Sequence, residues 1–213
     1  EFGKLIEKTG IPKGVVNIIT GFGEPCGKSL TSHKLVERVA FTGGPETAKH
    51  IIKNSAENLS QVSLELGGKS PVAVFDDADQ ENAINGITAG IFGASGQSCI
   101  AGSRLYLHKN IYNNFLDQLA ARANKIKLGS PMNSDTQMGP LNSLKQLETI
   151  EKNIKLTVDQ GGEIKCGGKR HTLSNKGYYF PATIIECKNH NLPTAENELF
   201  GPVLSVMKFE TEE

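Results

Sequence analysis

Short apolar runs alternate along the chain with longer stretches in which apolar residues recur at helical spacing. The strand-like runs are 15–19, 36–41, 62–66, 71–75, 104–107, 163–166, 183–187 and 203–207. The helical stretches are 24–32, 46–59, 83–91, 111–126 and 144–158, and 129–141 is rich in turn residues. Strands that alternate with helices in this way predict an α/β protein with a largely parallel sheet.

Two glycines and a proline, Gly67, Gly68 and Pro71, separate two of the strand-like runs. They indicate either a domain boundary or a simple tight turn. Acidic residues at 76–79 follow the second run and supply N-cap chemistry for the next helix.

Charge and cysteine content exclude several classes of protein. The formal net charge is +0, which gives no electrostatic reason to expect nucleic acid or an anionic membrane as a partner. The four cysteines form no C-x-x-C pair, and the histidines have no metal-ligand spacing. We therefore expect no metal site and a reducing, cytoplasmic setting. The first residues lack the features of a signal peptide and resemble the later part of an amphipathic helix, which suggests a piece of a longer chain.

Two strand ends carry groups suited to catalysis or cofactor binding. Gly43 and Gly44 link a strand to a helix, where free N–H groups suit a phosphate, although a simple N-cap is the usual explanation of such a turn. Glu65 lies near the end of another strand, beside two glycines, and is a candidate general base. The alternative for Glu65 is a solvated residue on a half-exposed strand.

Cys99 stands among small residues in the stretch ASGQSCIAGS, 94–103. Small neighbours leave room for a substrate and allow backbone N–H groups to converge on an oxyanion. The alternative is a buried free cysteine, which is common. Later in the chain, Glu198 and Phe200 place a carboxylate and an aromatic ring just before a turn and a strand.

Taken together, these segments resemble the NAD(P)-dependent aldehyde dehydrogenase superfamily. The stretches LELGGKSP and FGASGQSCIAGS are similar to its glutamate and cysteine signatures, and the separation of Glu65 from Cys99 also suits the family. AFTGG resembles the turn that meets the cofactor pyrophosphate, ENELFGPV the segment at the nicotinamide end, and IPKGVVNIITGFG a stretch ahead of the cofactor turn. Pro45 and Ala48 depart from the family pattern, in which a second glycine is frequent near the phosphate turn.

The resemblance implies a fold, a cofactor and a role for each residue. Part of a Rossmann-like NAD(P)-binding domain, 1–67, would precede much of an α/β catalytic domain, 68–213. Cys99 would form a thiohemiacetal and then a thioester, and Glu65 would activate the hydrolytic water. The residues assigned to NAD or NADP are Gly43, Gly44, Leu66, Glu198 and Phe200.

The resemblance also implies a small aldehyde as substrate, a homo-oligomeric parent protein, and little activity for a 213-residue piece. Members of the family are longer at both ends, and their N-terminal part carries an oxyanion-site asparagine and the adenosine-binding residues. Two other readings stay open. One is a CoA-acylating aldehyde dehydrogenase, and the other is a catalytically silent structural or interaction protein.

Overall fold

The computed structural model of the protein describes residues 1–171 and 177–212. Contacts within the chain define two units, Glu1–Leu66 and Gly67–Glu213. This division falls one residue from the predicted boundary, and the assignment of cofactor and catalytic roles to the two units stays a prediction. None of the helices in the described part of the chain is long and apolar enough to cross a membrane.

The first unit is built around one pair of parallel strands. Its elements are α1 (Phe2–Lys8), a π-helical turn (Gly23–Gly27), α2 (Lys28–Thr31), β1 (Arg38–Gly43), α3 (Pro45–Ser55) and β2 (Gln61–Leu66). Helix α3 connects the two strands, as a parallel pair requires. It buries Ala48 and Ile51 and exposes Ile52, so one side of the helix is covered.

Two predictions in this unit are wrong, one for a strand and one for the end of a helix. The run 15–19 is not a strand, although β-branched residues favour one. A strand needs a neighbour to pair its backbone groups, and among the described residues β1 and β2 pair with each other alone. Val15 and Ile19 are accordingly exposed. Helix α3 ends at Ser55 rather than 59, and Leu59 is exposed in a left-handed conformation with φ 56°.

The second unit contains a five-stranded sheet of order β3-β4-β7-β6-β5. Its elements are β3 (Pro71–Val74), α4 (Gln80–Phe92), β4 (Arg104–His108), α5 (Tyr112–Ala123), α6 (Leu144–Asp159), β5 (Glu163–Cys166), β6 (Thr183–Glu186), α7 (Pro193–Glu196) and β7 (Val203–Phe209). Only the edge pair β5–β6 is antiparallel within the described residues. The predicted α/β class and largely parallel sheet are confirmed.

Strand β7 shows why this sheet is covered on both faces. Leu204 and Val206 belong to the core cluster that contains residues of α4 and α5, whereas Val203 and Met207 belong to the cluster that contains residues of α6. Because successive strand residues point to opposite faces, a continuous apolar run is buried on both sides. The predicted cap of α4 is also present, since Asp79 Oδ1 accepts a hydrogen bond from Asn82 N at 3.1 Å.

Candidate active site

The predicted site residues fall into two groups, one in each unit. Gly43, Gly44, Glu65 and Leu66 belong to the first unit, and Cys99, Glu198 and Phe200 belong to the second. Each group is brought together by the structure of its own unit. Among residues 1–171 and 177–212, no three His, Cys, Asp or Glu side chains converge as metal ligands would.

The first group lies at the carboxyl ends of β1 and β2. The parallel register pairs Thr42 with Glu65 and Gly43 with Leu66, so the phosphate-type turn and the candidate base share one edge. Carboxyl ends of parallel strands are where α/β sheets bind ligands. Glu65 is exposed at this edge, which leaves its carboxylate accessible.

Helix α3 begins beside this edge with an open N-terminus. Gly44 is the N-cap, makes no side-chain capping bond, and has free space where a Cβ would stand. The first-turn residue Glu46 accepts a hydrogen bond from Lys49 at 2.7 Å, and this bond lowers the pKa of the carboxyl. The pairing partly offsets a negative charge that would otherwise repel an anion at the helix start.

The loop that carries Cys99 begins with a left-handed run. Ala94, Ser95 and Gly96 have φ of 49°, 57° and 69°. A Cβ at Gly96 would overlap the carbonyl of Gly201, so the two loops approach at backbone distance. Ser95 Oγ donates to Gly139 O at 2.9 Å and anchors the run. Left-handed non-glycine residues persist only where the surroundings hold them, and such strain clusters at functional sites.

Cys99 itself is exposed at the end of this loop, and its thiol is free. The structure therefore rules out the alternative of a buried packing cysteine. Cys166 and Cys187, by contrast, are buried, and burial raises the pKa of both thiols, to about 11 for Cys166. Gln97 holds the loop next to Cys99, because its Oε1 accepts from Asn142 N at 3.0 Å, just before α6.

The second cofactor candidate segment is fixed from two sides. The Glu198 carboxylate lies against Gly67, where a Cβ would overlap it. Phe200 is left-handed, with φ 49°, and its side chain is exposed. Gln146, in the first turn of α6, donates through Nε2 to Leu199 O and to Phe200 O, the latter at 3.2 Å. The start of α6 therefore supports both the Cys99 loop and the Glu198 segment.

Between these two loops is a cavity of about 10 Å³. That volume is enough for about one water molecule. Lys69, Ser98, Ser103 and Glu198 contribute to its lining. Lys69 Nζ is removed from solvent and has no hydrogen-bond partner among the described residues.

Sequence reasoning missed Lys69, Ser95 and Gln146. The spacing of Ser143 and Gln146 is a capping-box signal, and Ser143 Oγ does accept from Gln146 N at 3.2 Å. That signal locates a helix start but does not show that the Gln146 amide reaches another loop. Nothing in the sequence near Lys69 indicates burial of its ammonium.

Comparison with known proteins identifies the family of this chain. The chain matches the aldehyde dehydrogenase family over residues 1–213. It is 52% identical over 213 residues to a (Z)-2-((N-methylformamido)methylene)-5-hydroxybutyrolactone dehydrogenase of Acinetobacter baylyi, covering 100% of this chain and 43% of that protein. The chain belongs to the aldehyde dehydrogenase family.

Solved structures agree with this assignment. An aldehyde dehydrogenase from Bacillus cereus in complex with NAD+ superposes with a TM-score of 0.93 at 41% identity, over 98% of this chain and 42% of that one. A betaine aldehyde dehydrogenase from Staphylococcus aureus in complex with NAD+ gives a TM-score of 0.93 at 41% identity, over 99% and 42%. The chain thus spans less than half the length of these relatives.

Proposed function

We propose that the protein oxidises an aldehyde to a carboxylic acid with NAD or NADP, in the manner of its family. The observation that carries this proposal is Cys99, an exposed thiol on a strained loop that packs against the Glu198 segment. Two relatives with 41% sequence identity to this chain are aldehyde dehydrogenases whose structures were solved in complex with NAD+.

The residues present fit a dinucleotide cofactor. Gly44 leaves open space at the start of α3, where helix N–H groups suit a phosphate, so we assign Gly43 and Gly44 to the pyrophosphate. Leu66, paired with Gly43 at the same strand edge, is assigned to cofactor binding. Glu198 is assigned to the nicotinamide ribose hydroxyls, which a carboxylate accepts well, and Phe200 to packing near the nicotinamide. When bound, the cofactor supplies the oxidant that takes a hydride from the substrate carbon.

Cys99 is assigned as the nucleophile. Its thiolate adds to the aldehyde carbon, a C–S bond forms, and the carbonyl electron pair moves to oxygen to give a thiohemiacetal. Oxidation of that carbon leaves a thioester on Cys99. Small residues around the sulfur leave room for the substrate and its oxyanion.

Glu65 is assigned as the general base of the second half-reaction. Its carboxylate takes a proton from a water molecule, whose oxygen attacks the thioester carbon. The C–S bond breaks, the Cys99 thiolate leaves, and a carboxylic acid is released. The carboxylate of Glu65 is exposed at a strand end, as access to water requires.

An assay of cofactor reduction tests this function. The substrates are short aldehydes, betaine aldehyde and a 5-hydroxybutyrolactone, chosen because relatives are named for the last two. We expect the protein at its full natural length to reduce NAD or NADP with at least one of them. The 213-residue chain alone is expected to show little turnover, since it covers 43% of its relatives. Robust turnover by the chain alone would contradict the second expectation.

The reaction catalysed by a CoA-acylating enzyme differs at the second step, in which the thioester passes to CoA. Glu65→Gln separates the two. We expect the variant to stop after one turnover under hydrolytic conditions. Unchanged turnover in the variant, together with a dependence on CoA, would favour the acylating reaction. No cofactor reduction with any aldehyde would favour a structural or interaction role.

The remaining proposals concern the partners, the cellular location and the oligomeric state of the protein. We propose a small-molecule aldehyde as its partner, without nucleic acid or membrane, a cytoplasmic location, and a homo-oligomeric parent protein. Light scattering coupled to size exclusion tests the last point, and a monomer at micromolar concentration would contradict it.

A further inference from the structure

Lys69 carries a buried charge that the proposed mechanism does not use. Its Nζ is away from solvent and lacks a hydrogen-bond partner among the residues that the structure describes. The backbone of this segment is held in place, because Arg104 Nε donates to Lys69 O at 2.9 Å and Arg104 N donates to Ser70 O at 3.2 Å. An unpaired buried ammonium is costly for folding, which makes Lys69 a candidate for a functional role.

Three titratable groups act electrostatically on Lys69. Arg104 carries a like charge, Cys187 a buried thiol, and Glu198 a carboxylate. Burial raises the pKa of the Cys187 thiol and keeps it neutral at physiological pH. Glu198 is therefore the negative charge among the three, and it lines the same small cavity as Lys69. The cavity has room for about one water molecule.

We propose that Lys69 is a positioning residue, whose ammonium attracts the Glu198 carboxylate across the cavity and keeps it oriented for the nicotinamide ribose. The proposal rests on the cofactor role of Glu198 proposed above. Gly67 permits this position of the carboxylate, because a Cβ there would overlap it. A positioned carboxylate loses less conformational entropy when the cofactor binds.

The protonation state of Lys69 makes this contact dependent on pH. Burial, with a smaller contribution from the charge of Arg104, lowers the pKa of Lys69 to about 8. The ammonium is thus present at pH 7 and lost as the pH rises through 8. Glu198 opposes that loss, because its negative charge favours the protonated lysine.

The coupling can be measured without turnover. In protein of full natural length labelled with 13C-lysine, the Cε shift of Lys69 is followed against pH and assigned with Lys69→Arg. We expect an inflection near pH 8 that moves to lower pH in Glu198→Gln. An inflection unchanged by Glu198→Gln would overturn the proposal, whether or not the protein oxidises aldehydes.

Cofactor kinetics supply the second readout. Lys69→Met removes the charge and keeps the stem, Lys69→Arg restores a charge, and Lys125→Met removes an exposed lysine as the control. We expect Lys69→Met to raise the KM for NAD about tenfold at pH 7 with a smaller change in kcat, a size typical of a charged contact. Lys69→Arg is expected to recover most of the loss, and Lys125→Met to change nothing.

A double substitution tests the link with Glu198. If both residues serve one contact, Lys69→Met adds less than twofold to the KM of Glu198→Gln. Between pH 7 and 9.5 the KM for NAD rises in the unsubstituted protein and stays flat in Lys69→Met. Additive effects, or the same pH profile in both proteins, would refute the positioning role and leave Lys69 as a structural residue.

Discussion

At the scale of single residues, exposure separates Cys99 from the two buried cysteines of the same unit. Cys166 and Cys187 are buried, and burial raises the pKa of each thiol. The thiolate is the reactive form of cysteine. Both buried thiols are therefore unreactive for two reasons: reagents cannot reach them, and their raised pKa keeps them protonated.

We accordingly predict selective alkylation. Iodoacetamide at pH 8, followed by peptide mass spectrometry, is expected to modify Cys99 at least tenfold faster than Cys166 or Cys187. Cys99→Ser should remove the fast modification and leave the slow ones unchanged. Equal rates at the three thiols would show that Cys99 is not distinguished as the structure indicates.

Gly67 and Gly68 form a matched pair for testing the proposed role of Glu198. A Cβ at Gly67 would overlap the Glu198 carboxylate, whereas Gly68 has nothing within 4 Å of that position. We expect Gly67→Ala to displace the carboxylate and raise the KM for NAD about tenfold, because it disturbs a charged contact. Gly68→Ala should change it by less than twofold. An equal increase of the KM for NAD in the two variants would contradict this role of Gly67.

Lys69 also predicts a pH dependence of stability. Its pKa is lowered from 10.5 to about 8 in the folded protein, so the unfolded chain binds more protons between those values. The free energy of unfolding therefore rises with pH in that window, by roughly 3 kcal/mol from this group. Below pH 8 Lys69 is protonated in both states, so the buried charge lowers the free energy of unfolding by the full amount.

Lys69→Met removes that cost. By urea unfolding, we expect the variant to exceed the unsubstituted protein in stability by about 1–3 kcal/mol at pH 7, and by less at pH 10. The predicted sign would be reversed if the stability gained by the substitution were smaller at pH 7 than at pH 10.

At the scale of elements, the loop after α4 depends on glycine. Gly96 has φ 69°, and a Cβ there would overlap the Gly201 carbonyl. Gly93, at the end of the same helix, has φ −55° and open space. The two glycines differ in what an added methyl group would meet.

Substitution of both glycines is a test of this loop. We expect Gly96→Ala to lower the free energy of unfolding by about 2 kcal/mol or more, through strain and overlap. Gly93→Ala should change it by less than about 0.5 kcal/mol. The matched variants are compared by urea unfolding, and a similar loss in both would argue against the close packing of this loop.

The elements show how far sequence reasoning reaches. Short apolar runs and helical spacing located most strands and helices, and the acidic residues at 76–79 indicated the cap that Asp79 provides. The run 15–19 failed because strand formation depends on a pairing partner, which composition does not reveal. The left-handed turn before Cys99 and the reach of Gln146 depend on tertiary contacts, so local pattern could not predict them.

At the scale of the whole molecule, the candidate site residues fall into two groups, one in each unit. The first unit gathers Gly43, Gly44, Glu65 and Leu66 at one strand edge, and the second gathers Cys99, Glu198 and Phe200 around adjoining loops. Candidate residues were recognisable from the sequence because each lies in a recognisable motif. The burial of Lys69 was not, because it is a property of the folded second unit.

The central claim is that Cys99 carries a thioester that Glu65 helps to hydrolyse. Intact-mass spectrometry after mixing the full-length protein with an aldehyde and NAD tests it most directly. We predict that Glu65→Gln accumulates one acyl group, located on Cys99 by peptide mapping, while Cys99→Ser acquires none. An acyl group on another residue, or oxidation that continues in Cys99→Ser, would contradict the account.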